Sequence, residues 1–561
     1  MKPRLPDDIL HLLCEELVFQ RDFGTLFNCC CVSKSLAVPA LAGLYRGQHL
    51  SSIKSRDSDL NASLAEQELI VQRWSIQWRS IILSALDKTL LPYCQYLRVL
   101  DLGDLEMLFE EGRFQPGGAI FNYFFSGQLA RFNIPIATGP LTKSRSGKPR
   151  PPRLNFTAIF EAIGDEIIPK APNLERIDGP RGLTGPSFVR WLPSLSKLQH
   201  LKVFDGNVLG DSQIPSLIRD NCPKLESLSI FMWALLTAQC TRRIGTKCDQ
   251  NLAAILSALP GNTLTSFATF SRTQFGSETC LALNNHGASL KVLELQLENE
   301  VVPQLGVLKD CTALESIKLT DAGGGIDLKT NQVAVAEIVS WLLSCHGLHT
   351  LTLHNFTSGA VLATPVLLSD RIRLEELEID SYQESDQDTF HRALLNQTSL
   401  QRLLLDGEEV QTFDSLAIFV HSIEQLKQLR SLKLVWVSNK FSDRHITAIA
   451  KQLVNLEHLY IGGLGLRDVS LESMANLKNL QSVSFSGLTS FTMDGFLELI
   501  GQLGPGNKGL VLTVDNANPD DGLSEEEQTF VRNAVVEAVD GRFEYIFLRD
   551  PNMSEFEGES D

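Results

Sequence analysis

The sequence contains no apolar run long enough to span a bilayer, so no membrane partner is expected. Positive charge is scarce, with 50 Lys and Arg against 67 Asp and Glu and a net charge of −17. A nucleic-acid partner is therefore not expected, because phosphate contacts would begin from repulsion. C-x-x-C pairs are missing, and Cys29, Cys30 and Cys31 are consecutive, without the spacers that zinc ligands need. No metal and no cofactor are expected. The opening segment MKPRLPDDIL places Asp7 and Asp8 where a signal peptide needs an apolar core, so secretion is not expected either. Ser146-Gly147-Lys148 lacks the glycine spacing of a phosphate-binding loop. What remains is the composition of an ordinary soluble protein, 43% hydrophobic and 21% charged.

Present instead is one pattern written many times. Leu374, Leu377 and Ile379 form L-x-x-L-x-L, and the skeleton returns at Leu198/Leu201/Val203, Leu225/Leu228/Ile230, Leu290/Leu293/Leu295, Leu314/Ile317/Leu319 and Leu348/Leu351/Leu353. Further copies stand at Leu400/Leu403/Leu405, Leu429/Leu432/Leu434, Leu456/Leu459/Ile461 and Leu480/Val483/Phe485. Weaker ones sit at Leu97/Leu100/Leu102, Leu174/Ile177 and Leu264/Phe267, with a degraded copy after Leu510. Most steps between first leucines run from 24 residues (Leu456 to Leu480) to 30 (Leu480 to Leu510), the leucine-rich-repeat period. Alternate strand side chains point to opposite faces, so Leu377 and Ile379 go inward while Glu376, Glu378 and Asp380 go outward. One such strand cannot bury its apolar face alone, and a parallel neighbour requires a crossover. Helical spacing at Ile446, Ile449, Ala450 and Leu453, behind a Ser442 cap, supplies one; residues 386–396 and 414–424 read the same way. The expected fold is an α/β curved solenoid, with parallel strands on the concave face and helices on the convex face. Cys94, Cys222, Cys311 and Cys345 each stand three residues before a first leucine, where small apolar side chains close the helix-to-strand turn, and read as buried thiols of a reducing compartment.

The N-terminal stretch is different. LPDDILHLLCEEL is a Leu-Pro entry into a helix, followed by a polar break at residues 20–22, a short second helix, and a third segment expected to be interrupted or restarted at Pro39. Leu5-Pro6, Asp8, Ile9-Leu10, Leu12-Leu13, Asp22-Phe23, Leu26 and Val32-Ser33-Lys34 together resemble an F-box, in wording closest to fungal members. Leu36 stands where many members have tryptophan. An F-box followed by leucine-rich repeats is itself a family arrangement. The resemblance implies docking on a Skp-family adaptor, which joins a cullin scaffold and its RING subunit, through Leu5, Pro6, Ile9, Leu10, Leu13, Leu17, Leu26, Val32 and Leu36. Some of these must instead hold the three helices together. It further implies a substrate-recognition subunit of an SCF-type ubiquitin ligase, cytoplasmic or nuclear, that does no bond chemistry of its own. The alternative is a leucine-rich-repeat scaffold outside the ubiquitin system, with the N-terminal helices only a cap.

The expected layout is an F-box at residues 1–50, a helical linker at 51–92, repeats at 93–515 with a basic disordered insertion near 139–155, a C-terminal cap at 516–549 and an acidic disordered tail at 550–561. In the linker, Trp74 and Trp78 read as packing residues. Ser524 followed by Glu527 predicts a capping box, and RFEYIFL a last strand. Two catalytic look-alikes fail. Gly210-Asp211-Ser212 falls where a cap for the next helix is needed, and His349 and His354 point to opposite faces of a strand. The candidate substrate surface is the outward row Glu376, Glu378 and Asp380, beside Arg402, Leu404 and Asp406 on the next strand and Thr350, Thr352 and His354 on the one before, an acidic ridge for a basic segment.

Overall fold

The computed structural model describes residues 6–50, 63–136, 153–233, 241–271, 276–297, 301–323, 331–356, 359–382, 387–407, 416–463, 465–519 and 521–547. Leu5, nearly all of the basic insertion and the acidic tail lie outside the described residues. The chain divides into two compact units, residues 1–289 and 290–561.

In the first unit, strands β1 (Val99–Asp101), β2 (Arg176–Asp178), β3 (His200–Asp205), β4 (Ser227–Met232) and β5 (Ser266–Ser271) pair in parallel and in sequence order. Register aligns the inward side chains Leu100, Ile177, Leu201, Leu228 and Phe267, all essentially buried. The helices are α1 (Asp7–Phe19), α2 (Phe23–Val32), α3 (Lys34–Arg46), α4 (Leu64–Ala85), α5 (Leu102–Glu110), α6 (Ala119–Phe124), α7 (Phe156–Ile167), α8 (Gly185–Trp191), α9 (Ile214–Asn221), α10 (Thr241–Ala258) and α11 (Ser277–Leu283).

In the second unit the strands are β6 (Val292–Leu297), β7 (Ser316–Asp321), β8 (Thr350–His354), β9 (Glu376–Asp380), β10 (Arg402–Asp406), β11 (Ser431–Val435), β12 (His458–Gly462), β13 (Ser482–Ser486), β14 (Val511–Ala517) and β15 (Arg542–Phe547). They too are parallel and in sequence order. Here one row runs Leu293, Ile317, Leu351, Leu377, Leu403, Leu432, Leu459, Val483, Leu512 and Phe543, and none of the ten is more than 2% exposed. A 3₁₀ segment, Val302–Asp310, crosses from β6 to β7. Helices α12 (Gln332–Ser344), α13 (Gly359–Leu367), α14 (Gln387–Leu394), α15 (Ala417–Glu424), α16 (Asp443–Gln452), α17 (Asp468–Met474), α18 (Met493–Gln502) and α19 (Glu525–Val539) supply later crossovers and the last cover. Both units are leucine-rich-repeat solenoids of α/β class. The weak copies at Leu100, Ile177 and Phe267 and the degraded one after Leu510 are true strands.

One expectation changes. Pro39 does not interrupt the third helix: α3 runs unbroken from Lys34 to Arg46, with Ser33 Oγ accepting from Leu36 N at 3.2 Å. Burial of Pro39, Ala40, Ala42 and Gly43 offsets the one hydrogen bond that the ring removes. The segment 64–85, expected as one or two helices with an apolar side, is a single helix that packs on the helices around the first repeat. Its Trp74 and Trp78 do pack, and both indole N–H groups also donate to Asp104 Oδ2, at 3.0 and 2.7 Å. Asp104 is fully buried, and such a group is tolerated in a core only where donors meet it. Beside it, Phe109, Phe114, Phe124, Phe125, Phe156 and Phe160 form a connected ring cluster that gives the interruption between β1 and β2 its own core.

The helix-to-strand turns share one device. Cys94, Cys222, Cys311 and Cys345 are buried, and burial pushes their thiols up to about 11, 12, 12 and 11. Gln397 and Asn507 occupy the same place relative to Leu400 and Leu510. The Gln397 amide donates to Leu367 O (3.0 Å) and Ile372 O (3.3 Å) and accepts from Leu374 N (2.8 Å). Asn507 Nδ2 donates to Leu477 O and Leu480 O at 3.1 and 3.0 Å. Each amide therefore ties its turn to the preceding one. At the end of the chain, Ser524 and Glu527 form the expected capping box, which lowers the Glu527 carboxyl below its usual range.

Replacing Gln397 with Leu strands Leu374 N–H in the core and should cost about 1–3 kcal/mol, read as a lower urea midpoint. A second test concerns His391, which is 2% exposed. Its Nε2 shares a hydrogen bond with the Tyr382 hydroxyl at 2.8 Å, the ring lies against Phe419 at 4.3 Å, and burial holds its pKa down at about 4. The unfolded chain, near 6.5, binds this proton more readily, so stability is complete above about pH 6.5 and falls as pH drops toward 4, by up to ~3 kcal/mol. His391→Phe should flatten that acid slope in urea midpoints measured between pH 7.5 and 5.

Candidate functional site

The N-terminal helices begin where local chemistry dictates. Pro6 precedes α1, and Asp7 and Asp8 occupy its first turn, at the positive end of the helix dipole. Asp22 caps α2 by accepting from Thr25 N at 3.0 Å, and hydrogen bonds from the Thr25 side chain and then its backbone lower the Asp22 carboxyl below the usual range. The three helices close around Cys14, Leu26 and Ala40, with Leu17, Val18, Phe23, Cys29, Cys30 and Leu44 packed against them. Arg46 on α3 pairs with Glu15 on α1. Attachment to the first repeat runs through α3 and the turn after it. Tyr45 stacks on Tyr93 with centroids 4.4 Å apart, its hydroxyl meets Ser80 Oγ at 2.8 Å, and Gln48 Nε2 donates to Val99 O at 3.2 Å.

This arrangement sorts the residues singled out in the sequence. Leu10 and Leu26 are buried, and Leu17 and Leu36 are half-buried. Pro6, Ile9, Leu13 and Val32 are exposed, the last 74% so. Leu12, Phe19, Phe27 and Val38 are exposed too, Phe19 at 81%. Helix α1 thus carries two apolar stripes. One, Leu10, Cys14 and Leu17, turns inward at helical spacing, and the other, Ile9, Leu12 and Leu13, faces water. The outward stripe was present in the sequence; which stripe the neighbouring helices would cover was not.

The acidic ridge is also brought together. Glu376 stands beside Thr350 and Arg402, and Asp380 beside Asp406, on strands paired in register. Glu376 forms an ion pair with Arg402. His354 lies 3.7 Å from Glu378 and 3.4 Å from Asp380. Burial and the neighbouring Asp380 charge raise the Asp406 pKa above the usual carboxylate range. His349 has a separate neighbour, Glu315, at 4.0 Å. Neither Asp211 nor Ser212 caps α9 as expected: Gln213 stands at the N-cap position without a side-chain cap, and Asp211 accepts from Gln213 N at 2.9 Å in the turn just ahead of it.

No protein-family model and no curated protein matches the chain. Solved structures do. An internalin from Listeria monocytogenes is similar at 15% identity, over 68% of this chain and 83% of that one, with a TM-score of 0.31. A chain of the yeast Rad7–Elc1 complex is similar at 12% identity, over 64% and 81%, with a TM-score of 0.37. The TLR13–ssRNA13 complex matches at 13% identity, over 68% and 51%, with a TM-score of 0.36. Likenesses of this size say nothing about partners or activity.

Charge reversal at Glu376 and Glu378 to Lys should abolish capture of a basic substrate segment if the ridge receives one. Because both residues lie on the open face of the sheet, the variant should keep the wild-type circular dichroism spectrum. Unchanged capture of substrate by the double variant would remove the ridge from the binding surface.

Proposed function

We propose that the chain is a substrate-recognition subunit of an SCF-type ubiquitin ligase. In this reading residues 1–50 are an F-box that docks on a Skp-family adaptor, which brings the cullin and RING subunits. The solenoid holds a protein substrate. The chain does no bond chemistry and needs no cofactor; it raises the local concentration of substrate lysines at the charged conjugating enzyme. Among the described residues no helix is long and apolar enough to cross a membrane.

The observation that carries the reading is the second apolar stripe. A cap would spend the outer face of α1 and α2 on the repeats, whereas Ile9, Leu12, Leu13, Phe19, Phe27 and Val32 are all exposed. Six large apolar side chains on a three-helix unit make a surface that favours a partner. Pro6, Ile9, Leu13 and Val32 are the adaptor contacts of this reading, together with Leu5, which lies outside the described residues. Leu10 and Leu26, being buried, act by holding the helices. The substrate is assigned to the open face of the strands, including Glu376, Glu378, Asp380, Arg402 and Asp406.

A pulldown of the full chain with a purified fungal Skp-family adaptor tests this. Wild type should be captured, and an Ile9→Asp, Leu13→Asp double variant should lose at least ~10-fold in affinity while keeping its helical circular dichroism. Failure of the wild type to bind would leave a leucine-rich-repeat scaffold outside the ubiquitin system.

A further inference from the structure

The open sheet face of the first unit carries an aromatic row. Register pairs β3 with β4 and β4 with β5 so that Phe204, Phe231 and Phe270 fall in line, one step before the aligned Asp205, Met232 and Ser271. Phe204 and Phe231 stack with centroids 4.7 Å apart and planes 16° from parallel, and Phe231 and Phe270 lie 6.4 Å apart at 30°. These rings are not core: Phe231 is 40% and Phe270 37% exposed, while their inward neighbour Ile230 is fully buried. The Arg181 guanidinium lies over Phe204 at 5.3 Å. It is held there by Arg181 N donating to Glu106 (3.0 Å) and Nη1 donating to Glu110 (3.3 Å).

Beside the rings the face is shallow. The next row on the same face is Lys202, Ser229 and Ala268, and the row beyond it His200, Ser227 and Ser266. A wall of rings therefore borders a trough of small side chains. Across these three rows Lys202 is the one formal charge; it is exposed and has no ion-pair partner among the described residues. Its in-register neighbour on β2 is Asp178, whose carboxylate is already taken by Arg176 at 2.7 Å, so the Lys202 cation is left over on a chain of net charge −17. On the β9 ridge, by contrast, Arg402 and His354 are both engaged by carboxylates.

We propose that Phe204, Phe231, Phe270 and Lys202 form a docking site for an extended segment of a partner protein that carries an aromatic or long aliphatic side chain close to a carboxylate. The apolar side chain packs on the rings, the segment lies along the Ser and Ala trough, and the carboxylate meets Lys202. Stacked rings can also receive single-stranded nucleic acid. One lysine, however, offers little to a phosphate backbone approaching a chain of this net charge, so the peptide is the occupant argued for. This deepens the proposed function, in which the partner is the substrate. It is tested without the adaptor, so either reading can fail alone.

The experiment is selection of short peptides from a random displayed library on the full-length chain. Fluorescence anisotropy of the selected peptides, and of oligouridine, then follows against wild type, Phe231→Ser and Lys202→Glu. Lys202 is exposed, and Lys202→Glu should keep the wild-type unfolding midpoint; Phe231→Ser gives up the stacking on Phe204 and should keep the wild-type circular dichroism spectrum with a slightly lower midpoint. The expected result is a shared aromatic or aliphatic residue close to Asp or Glu, with affinity falling about tenfold or more for each variant. Exchanging the peptide acid for Lys should restore binding to Lys202→Glu. Selection of no peptides, or of peptides that lack an acid, would overturn the proposal. So would peptides that bind Phe231→Ser as tightly as wild type, or binding of oligouridine in place of peptide.

Discussion

Everything in this molecule depends on the two-residue alternation of a strand held in parallel register. Once Leu377 and Ile379 are committed to the core, Glu376, Glu378 and Asp380 have no choice but the other face, and pairing lines them up with Arg402, Leu404 and Asp406. The inward rows supply the cohesion, since each fully buried aliphatic side chain is worth roughly 1.5–3 kcal/mol before ordering entropy is subtracted. The outward rows are released from packing and are free to carry recognition. The open face can therefore be read strand by strand, as acid on β9 and as rings on β3, β4 and β5.

Cohesion along the stack also needs the turns. A helix that ends and a strand that begins leave backbone carbonyls pointing at the next repeat, and something must meet them. Thiols at Cys311 and Cys345 fill that place with a small, buried group, and Sγ of Cys345 reaches Cys311 O at 3.4 Å. Gln397 and Asn507 do the same with an amide. Trp341 reaches back as well, its Nε1 donating to Cys311 O at 3.1 Å. Cysteine, glutamine, asparagine and tryptophan look unrelated in print, yet here they solve one problem.

The repeat skeleton, the buried thiols, the Ser524 cap and the last strand were legible in the sequence because each depends on residues close together in the chain. What was not legible depends on distance. Asp104 gives no sign that two indoles lie behind it, since Trp74 and Trp78 reach it across a helix and a strand. Phe204, Phe231 and Phe270 are separated by loops of unequal length, and they become neighbours only when register is known. Pro39 misled because a helix break was inferred from propensity alone, while the burial of α3 was set by its contacts with α1 and α2. In α1 both apolar stripes could be seen, but only packing decides that Leu10, Cys14 and Leu17 turn inward and that Ile9, Leu12 and Leu13 do not.

Labour thus divides within the chain: α3 and the turn after it anchor to the first repeat through Tyr45 and Gln48, while α1 and α2 leave Ile9, Leu12, Leu13, Phe19, Phe27 and Val32 exposed, the surface on which the proposed adaptor would dock. Hydrogen–deuterium exchange of the full-length chain, with and without a saturating fungal Skp-family adaptor, tests this most directly. The account predicts slowed exchange in α1 and α2, with the amides of β6 to β15 unchanged. Exchange in α1 and α2 that is indifferent to the adaptor, or protection found only along the strands, would contradict it.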